Sequence, residues 1–194
     1  MTSVLLATLN PIAKYLTEIY DQSSTVVNLG GLLFVLMHPI FTFPAAYVID
    51  TYGSRVGIMI GCILGIVGVS LRLLVNYSFA WVIVGQVLAG IGRPFILNCQ
   101  GKISANWFTS IQRGKITQIL TLVLNVSLII GVIIPTVVFG SYKPEKSIDG
   151  SDNYEIGKNL TFDLMLLHAI MGYICYGLNL AFQRNKPPTP PSEA

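Results

Sequence analysis

Charge is what this sequence has least of. Asp, Glu, Lys and Arg make up 11% of its 194 residues, against about a quarter in a soluble domain. That shortage excludes a soluble enzyme domain, a disordered tail and a nucleic-acid module. Cysteine is equally sparse: Cys62, Cys99 and Cys175 are the only three, each inside an apolar stretch without pairing or metal-ligand spacing. They read as small buried hydrophobes. No block of basic residues backs the net charge of +3, so an anionic polymer is not implied. A secretory signal of the usual form is missing too: the N-terminus has neither a basic n-region nor a small-residue cleavage site. Insertion is expected to rest on the spans themselves.

What fills the chain is apolar sequence, 53% of the residues with a mean hydropathy of +0.66. It comes in runs rather than in alternation, so the surplus faces lipid. A spanning helix needs about 20 residues, which leaves room for six at most. The expected fold is all-α and polytopic. Six apolar stretches are read at 3–13, 26–49, 56–75, 79–100, 116–139 and 164–182. The first ends at Asn10-Pro11, before a polar stretch from Lys14 to Thr25, and resembles the second half of a helix whose beginning is absent. Residues 1–183 then form the membrane bundle. Residues 184–194, with Pro187-Pro188-Thr189-Pro190-Pro191, form an extended linker, because proline lacks a donor and fixes φ.

The loops set an expected orientation. Arg55, Lys102, Arg113, Lys115, Arg184 and Lys186 fall on one side; Asp21 and the acidic 141–163 loop fall on the other. The Lys/Arg bias places the first group and the C-terminus in the cytosol. The sequon Asn159-Leu160-Thr161 in the opposite loop agrees.

The turn Asp50-Thr51-Tyr52-Gly53-Ser54-Arg55 supplies a glycine, a basic residue and an aspartate able to sit near helix-end amides. Alone it is an ordinary polar turn. Together with Gly85-Gln86-Val87-Leu88, Pro94-Phe95-Ile96-Leu97, Lys102-Ile103-Ser104-Ala105-Asn106-Trp107-Phe108, Phe43-Pro44-Ala45 and the proline-rich tail, it resembles the major facilitator superfamily. The branch it is most similar to is the feline leukaemia virus subgroup C receptor-related transporters. The resemblance implies the N-terminal six-helix bundle of a twelve-helix carrier, with its first helix truncated. It further implies a conformational loop motif at Asp50, Gly53 and Arg55, and a solute bound near the midplane between two bundles. Choline, ethanolamine, haem or a vitamin-like compound are the implied solutes.

Polar residues inside spans are costly and mark cavities or partners. Six are candidates for the solute cavity: Asn125, Gln86, Arg93, Asn28, His38 and Asn98. Arg93 stands where the resemblance implies an uncharged glutamine. It serves an anionic group or a carboxylate on another helix, or else snorkels to the interface. Asn125 falls where the resemblance implies a cavity glutamine. Gln86 binds solute or pins its helix to a neighbour, and Asn28, His38 and Asn98 suit either a cavity or interhelical bonding. Arg72, near a span end, is expected to snorkel, and His168 to be a satisfied structural histidine. Gly61, Gly65 and Gly68 share a face and read as a packing device. An aromatic wall implied in the first span, suited to a quaternary ammonium, has no counterpart at or before Thr2.

No nucleophile–base pair, metal-ligand cluster or phosphate loop is present, so neither an enzyme nor a cofactor is implied. The expected function is half of a secondary-active or facilitative solute transporter, partnered by the bilayer, a small solute and a second six-helix half. The alternative is a non-transporting structural subunit of a larger membrane complex. The small size argues that the chain does not transport alone.

Overall fold

The computed structural model describes residues 1–140, 142 and 152–183. Its helices are α1 Thr2–Ala7, α2 Ala13–Tyr20, α3 Ser24–Tyr52, α4 Ser54–Arg72, α5 Phe79–Leu97, α6 Cys99–Trp107, α7 Ser110–Phe139 and α8 Asp152–Phe182. Short 3-10 turns, Asn10–Ile12 and Leu73–Asn76, follow α1 and α4. There is no strand among the described residues, and five helical segments are long and apolar enough to cross a bilayer. The fold is all-α, as expected. The proline-rich 184–194 segment lies outside the described residues.

Two helices run beyond their expected limits. The polar stretch after Pro11 is helical through Tyr20, and Leu16 and Ile19 on it are buried. Two apolar residues three apart share a helical face, which is enough to seat a short amphipathic helix whose other face is charged. The loop expected at 141–163 is helical from Asp152 onward. The sequon at Asn159 therefore lies within α8, where Thr161 is buried and its hydroxyl donates to the Gly157 carbonyl at 2.8 Å. At this end of the molecule Tyr15 stacks on Phe139 at 5.5 Å and meets Tyr142 edge-on. The Tyr142 phenol donates to the Asn153 carbonyl at 3.0 Å. Burial raises its pKa above the usual range, with the charges of Glu18 and Tyr154 adding to the effect.

The helices pack as a row, α3, α5, α1 and α7, with α4 behind α5 and α8 against α4. Between lipid-embedded helices the hydrophobic effect no longer distinguishes a neighbour from solvent, so close backbone approach carries the packing. Gly68 and Gly85 supply it: a Cβ at Gly68 would lie 2.7 Å from the Gly85 carbonyl oxygen, and one at Gly85 2.5 Å from the Gly68 oxygen. Gly61 meets Gly92 in the same way, its Cβ position 2.9 Å from the Gly92 oxygen. Gly65 instead faces the Tyr176 ring of α8. The glycine face expected to be a packing device is thus split between two neighbours. Cys62 and Cys99 are buried as expected, but Cys175 is exposed.

Gly53 closes α3 and opens α4 at φ 92°, ψ 164°, a region essentially closed to side chains with a Cβ. No side chain caps α4. Asp50, expected near helix-end amides, lies instead in the last turn of α3.

Gly68→Ala is expected to destabilise the bundle by about 1–3 kcal/mol, since the clash is with backbone that cannot rotate away. Gly114→Ala, whose Cβ would meet nothing within 4 Å, should be neutral or stabilise by up to about 1 kcal/mol. Denaturant titration of the two variants in mild detergent checks the contrast, and equal effects would contradict the α4–α5 contact. Gly53→Ala should cost about 1–3 kcal/mol in the same titration through backbone strain alone.

Candidate functional site

The α3–α5 interface gathers three of the six polar candidates, Arg93, His38 and Asn98, together with Thr42. Arg93 sits in α5 with its guanidinium over the Phe34 ring, Cζ 5.7 Å from the centroid. Helical Cβ atoms tilt toward the N-terminus, so the side chain of Arg93 is directed back toward Phe79. Arg93 itself stands midway along the Phe79–Trp107 span. Phe34 itself is fully buried. One turn along α3, His38 is half-buried with an unpartnered, buried Nδ1, and the charge of Arg93 lies within electrostatic reach of it. Thr42, a further turn on, donates to the His38 carbonyl at 2.6 Å. Asn98 then donates from Nδ2 to the Thr42 carbonyl at 3.1 Å, closing the group at the break between α5 and α6.

Pro94 lies inside α5, one turn before this break. Pro94 lacks the N–H that would bond the carbonyl four residues earlier. The helix continues past it to Asn98, whose backbone N–H reaches the Pro94 carbonyl at 2.9 Å, and resumes as α6.

The energetics of Arg93 are those of an incompletely paired ion. Cation–π attraction contributes about 0.5–2 kcal/mol. A charge at the centre of a spanning helix costs at least about 2.5 kcal/mol. Nε is buried without a hydrogen-bond partner among the described residues. The guanidinium is therefore held in place by Phe34 yet retains unspent donor capacity.

Gln86 has a different role. It is fully buried, and its Nε2 donates to the Leu5 carbonyl of α1 at 2.9 Å, pinning α5 to α1. Asn28 and Asn125 are both exposed, on α3 and α7 respectively. The structure does not bring either together with Arg93 and His38. The His168 ring is buried, with Nδ1 2.7 Å from the Leu164 carbonyl and Nε2 3.3 Å from the Thr8 hydroxyl. A carbonyl only accepts, so in the neutral ring Nδ1 carries the proton, while the Thr8 hydroxyl near Nε2 gives its own proton to the Val4 carbonyl at 2.7 Å. His168 is a structural histidine anchored through Nδ1.

Arg72 departs from expectation. It does not snorkel: it is 1% exposed, and Nε, Nη1 and Nη2 all lack hydrogen-bond partners among the described residues. Its stem lies in the notch left by Gly85, whose Cβ position is 2.8 Å from Arg72 Cγ. The rotation of α4 set by its glycine face turns Arg72 inward, and the residue's place near the end of the span gave no hint of that.

In the loop motif, Asp50 pairs with Lys102 of α6, Nζ to Oδ1 3.2 Å, while the same Nζ donates to the Ile49 carbonyl at 2.7 Å. An acid in the last turn of a helix opposes its dipole, and Lys102 offsets the acid while adding a second donor to the Ile49 carbonyl, which also accepts from the Gly53 N–H at 3.0 Å. Arg113 does the same for α6, donating to the Ala105 and Phe108 carbonyls at 3.0 and 3.3 Å. Phe34 and the double role of Lys102 were not foreseen. The only available signals were a Phe and an Arg on facing helices, and a lysine one turn past the α5–α6 break.

A separate cavity of about 250 Å³ opens among α4, α5, α6, α7 and α8, lined by Met1, Cys62, Ile96, Leu124, Tyr176 and Asn179 among others. None of the six candidate cavity residues lines it. Among the described residues no group of His, Cys, Asp and Glu is arranged to hold a metal.

Comparison with known proteins identifies the family of the chain. The family model of the Major Facilitator Superfamily matches residues 1–192. The chain is 23% identical over 188 residues to the uncharacterized MFS-type transporter C09D4.1 of Caenorhabditis elegans, covering 94% of the chain and 30% of that protein. It is 26% identical over 194 residues to solute carrier family 49 member A3 of Danio rerio, covering 95% and 37%. With the choline/ethanolamine transporter FLVCR1 of Felis catus it shares 23% over 185 residues, covering 94% and 32%. The chain thus spans about a third of the length of the curated relatives it matches. A chain of apolar spanning helices matched almost end to end by this family model belongs to the Major Facilitator Superfamily.

Proposed function

We propose that the chain is the first six-helix bundle of a solute transporter working by alternating access, with its solute held at the α3–α5 interface by Arg93 and His38. One observation carries the reading. The two helices at the edges of the row, α3 and α7, bury only 17% of an apolar 18-residue stretch, against 44% for α4 and for the α5–α6 span. Phe43 and Tyr47 on α3, and Leu122, Val126 and Val137 on α7, are widely exposed. A second bundle laid against these edges encloses the group around Arg93 and leaves α4 and the outer side of α8 to lipid. In this arrangement Asp50, Gly53 and Arg55 form the hinge loop, which Lys102 ties to the α5–α6 span. The basic loops and the C-terminus face the cytosol, as the Lys/Arg bias favours.

The test is solute uptake by cells carrying the gene. Uptake should fall about tenfold in His38→Ala and in Lys102→Met, the effect of losing one charge-assisted contact, with surface abundance unchanged. Normal uptake in both variants, with the protein recovered at fixed stoichiometry in a larger complex, would favour a structural membrane subunit instead.

A further inference from the structure

We infer that the solute is an organic anion, whose charged group is received by Arg93 with His38. The inference rests on the transporter reading above and adds the charge of what is carried.

Three observations converge on it. Arg93 is the only cation at the α3–α5 interface, and among the described residues no carboxylate pairs with it; the ion pair found there is Lys102 with Asp50, at the end of α3. Along α4, α5, α6 and α7 there is no aspartate or glutamate at all. Asp50 lies twelve residues beyond His38 on α3, about 18 Å along the axis. Among the described residues, then, a positive charge inside a span meets no counterion. The second observation is the pair of unpartnered, buried nitrogens, Nε of Arg93 and Nδ1 of His38. A guanidinium and an imidazole N–H both donate, and both suit a carboxylate or phosphate oxygen. The third is the position of Phe34. A quaternary ammonium needs an open aromatic face, and here the Arg93 guanidinium already lies over that face. A cationic solute would meet a fixed like charge where it needs a ring. The choline and ethanolamine of the relatives' names accordingly do not fit this interface.

A series of constant shape and changing charge tests this: choline, its uncharged isostere 3,3-dimethylbutanol, and the anion 3,3-dimethylbutanoate. The chain is purified in maltoside micelles, and its melting midpoint is followed with each probe at matched ionic strength. The anion is expected to raise the midpoint by several degrees at saturation, with choline and the alcohol leaving it unchanged. Arg93→Gln should abolish the response, and Arg93→Lys, which keeps the charge and guards against a misfolded variant, should retain part of it. A rise with choline rather than the anion overturns the assignment of charge while leaving the transporter reading intact. No response to any probe from a cooperatively melting chain counts against both. A lower midpoint in Arg93→Gln with the anion response preserved marks Arg93 as a structural ion and also overturns the inference.

Discussion

The contact of α4 with α5, made where Gly61 meets Gly92 and Gly68 meets Gly85, sets the position of nearly everything else. Inside a bilayer an apolar side chain is as well solvated by lipid as by another helix, so helices associate where backbones can touch. Once these two are in register, the face that α5 turns to the remainder of the chain is determined. Gln86 is brought to Leu5 of α1 and Arg93 to Phe34 of α3. On α4 the same rotation sends Arg72 into the notch beside Gly85 and turns Gly65 to Tyr176.

Polar groups then do what apolar groups cannot do in lipid. Gln86, Asn98 and Lys102 each leave their own helix to bond a backbone carbonyl on another, at Leu5, Thr42 and Ile49. These bonds tie α5 and α6 to α1 and α3 at three heights. The polar groups without partners mark where the chain is incomplete in a chemical sense. Burying a donor without an acceptor costs about 1–3 kcal/mol, and more when it is charged, and at the α3–α5 interface Arg93 Nε and His38 Nδ1 are buried in that state.

Much of this was legible in the residues. Five spans announced themselves by length and hydropathy, and Gly61, Gly65 and Gly68 by spacing. The extensions at 13–20 and 152–163 did not, because a helix outside the bilayer needs only a few apolar positions. Leu16 and Ile19 were too few to stand out among Lys14, Thr17 and Glu18. Arg72 and Arg93 show the other limit. Whether an arginine near a span end reaches water depends on helix rotation, which glycine contacts decide and hydropathy does not record. For Arg93, midway along its span, the contact with the Phe34 ring is likewise a matter of helix rotation. Asn28 and Asn125 resembled Asn98 in sequence. Only Asn98 lies at the α5–α6 break, and there its amide found the Thr42 carbonyl.

Gly53 is at once the last cap of α3 and the first of α4, with no residue to spare between them. A hairpin joined in this way has no slack, and its geometry depends on one backbone conformation. The glycines of α4 fix α5 against it, and Arg93 of α5 returns to Phe34 of α3. The three helices thus close a triangle, and one corner of it is a single residue wide.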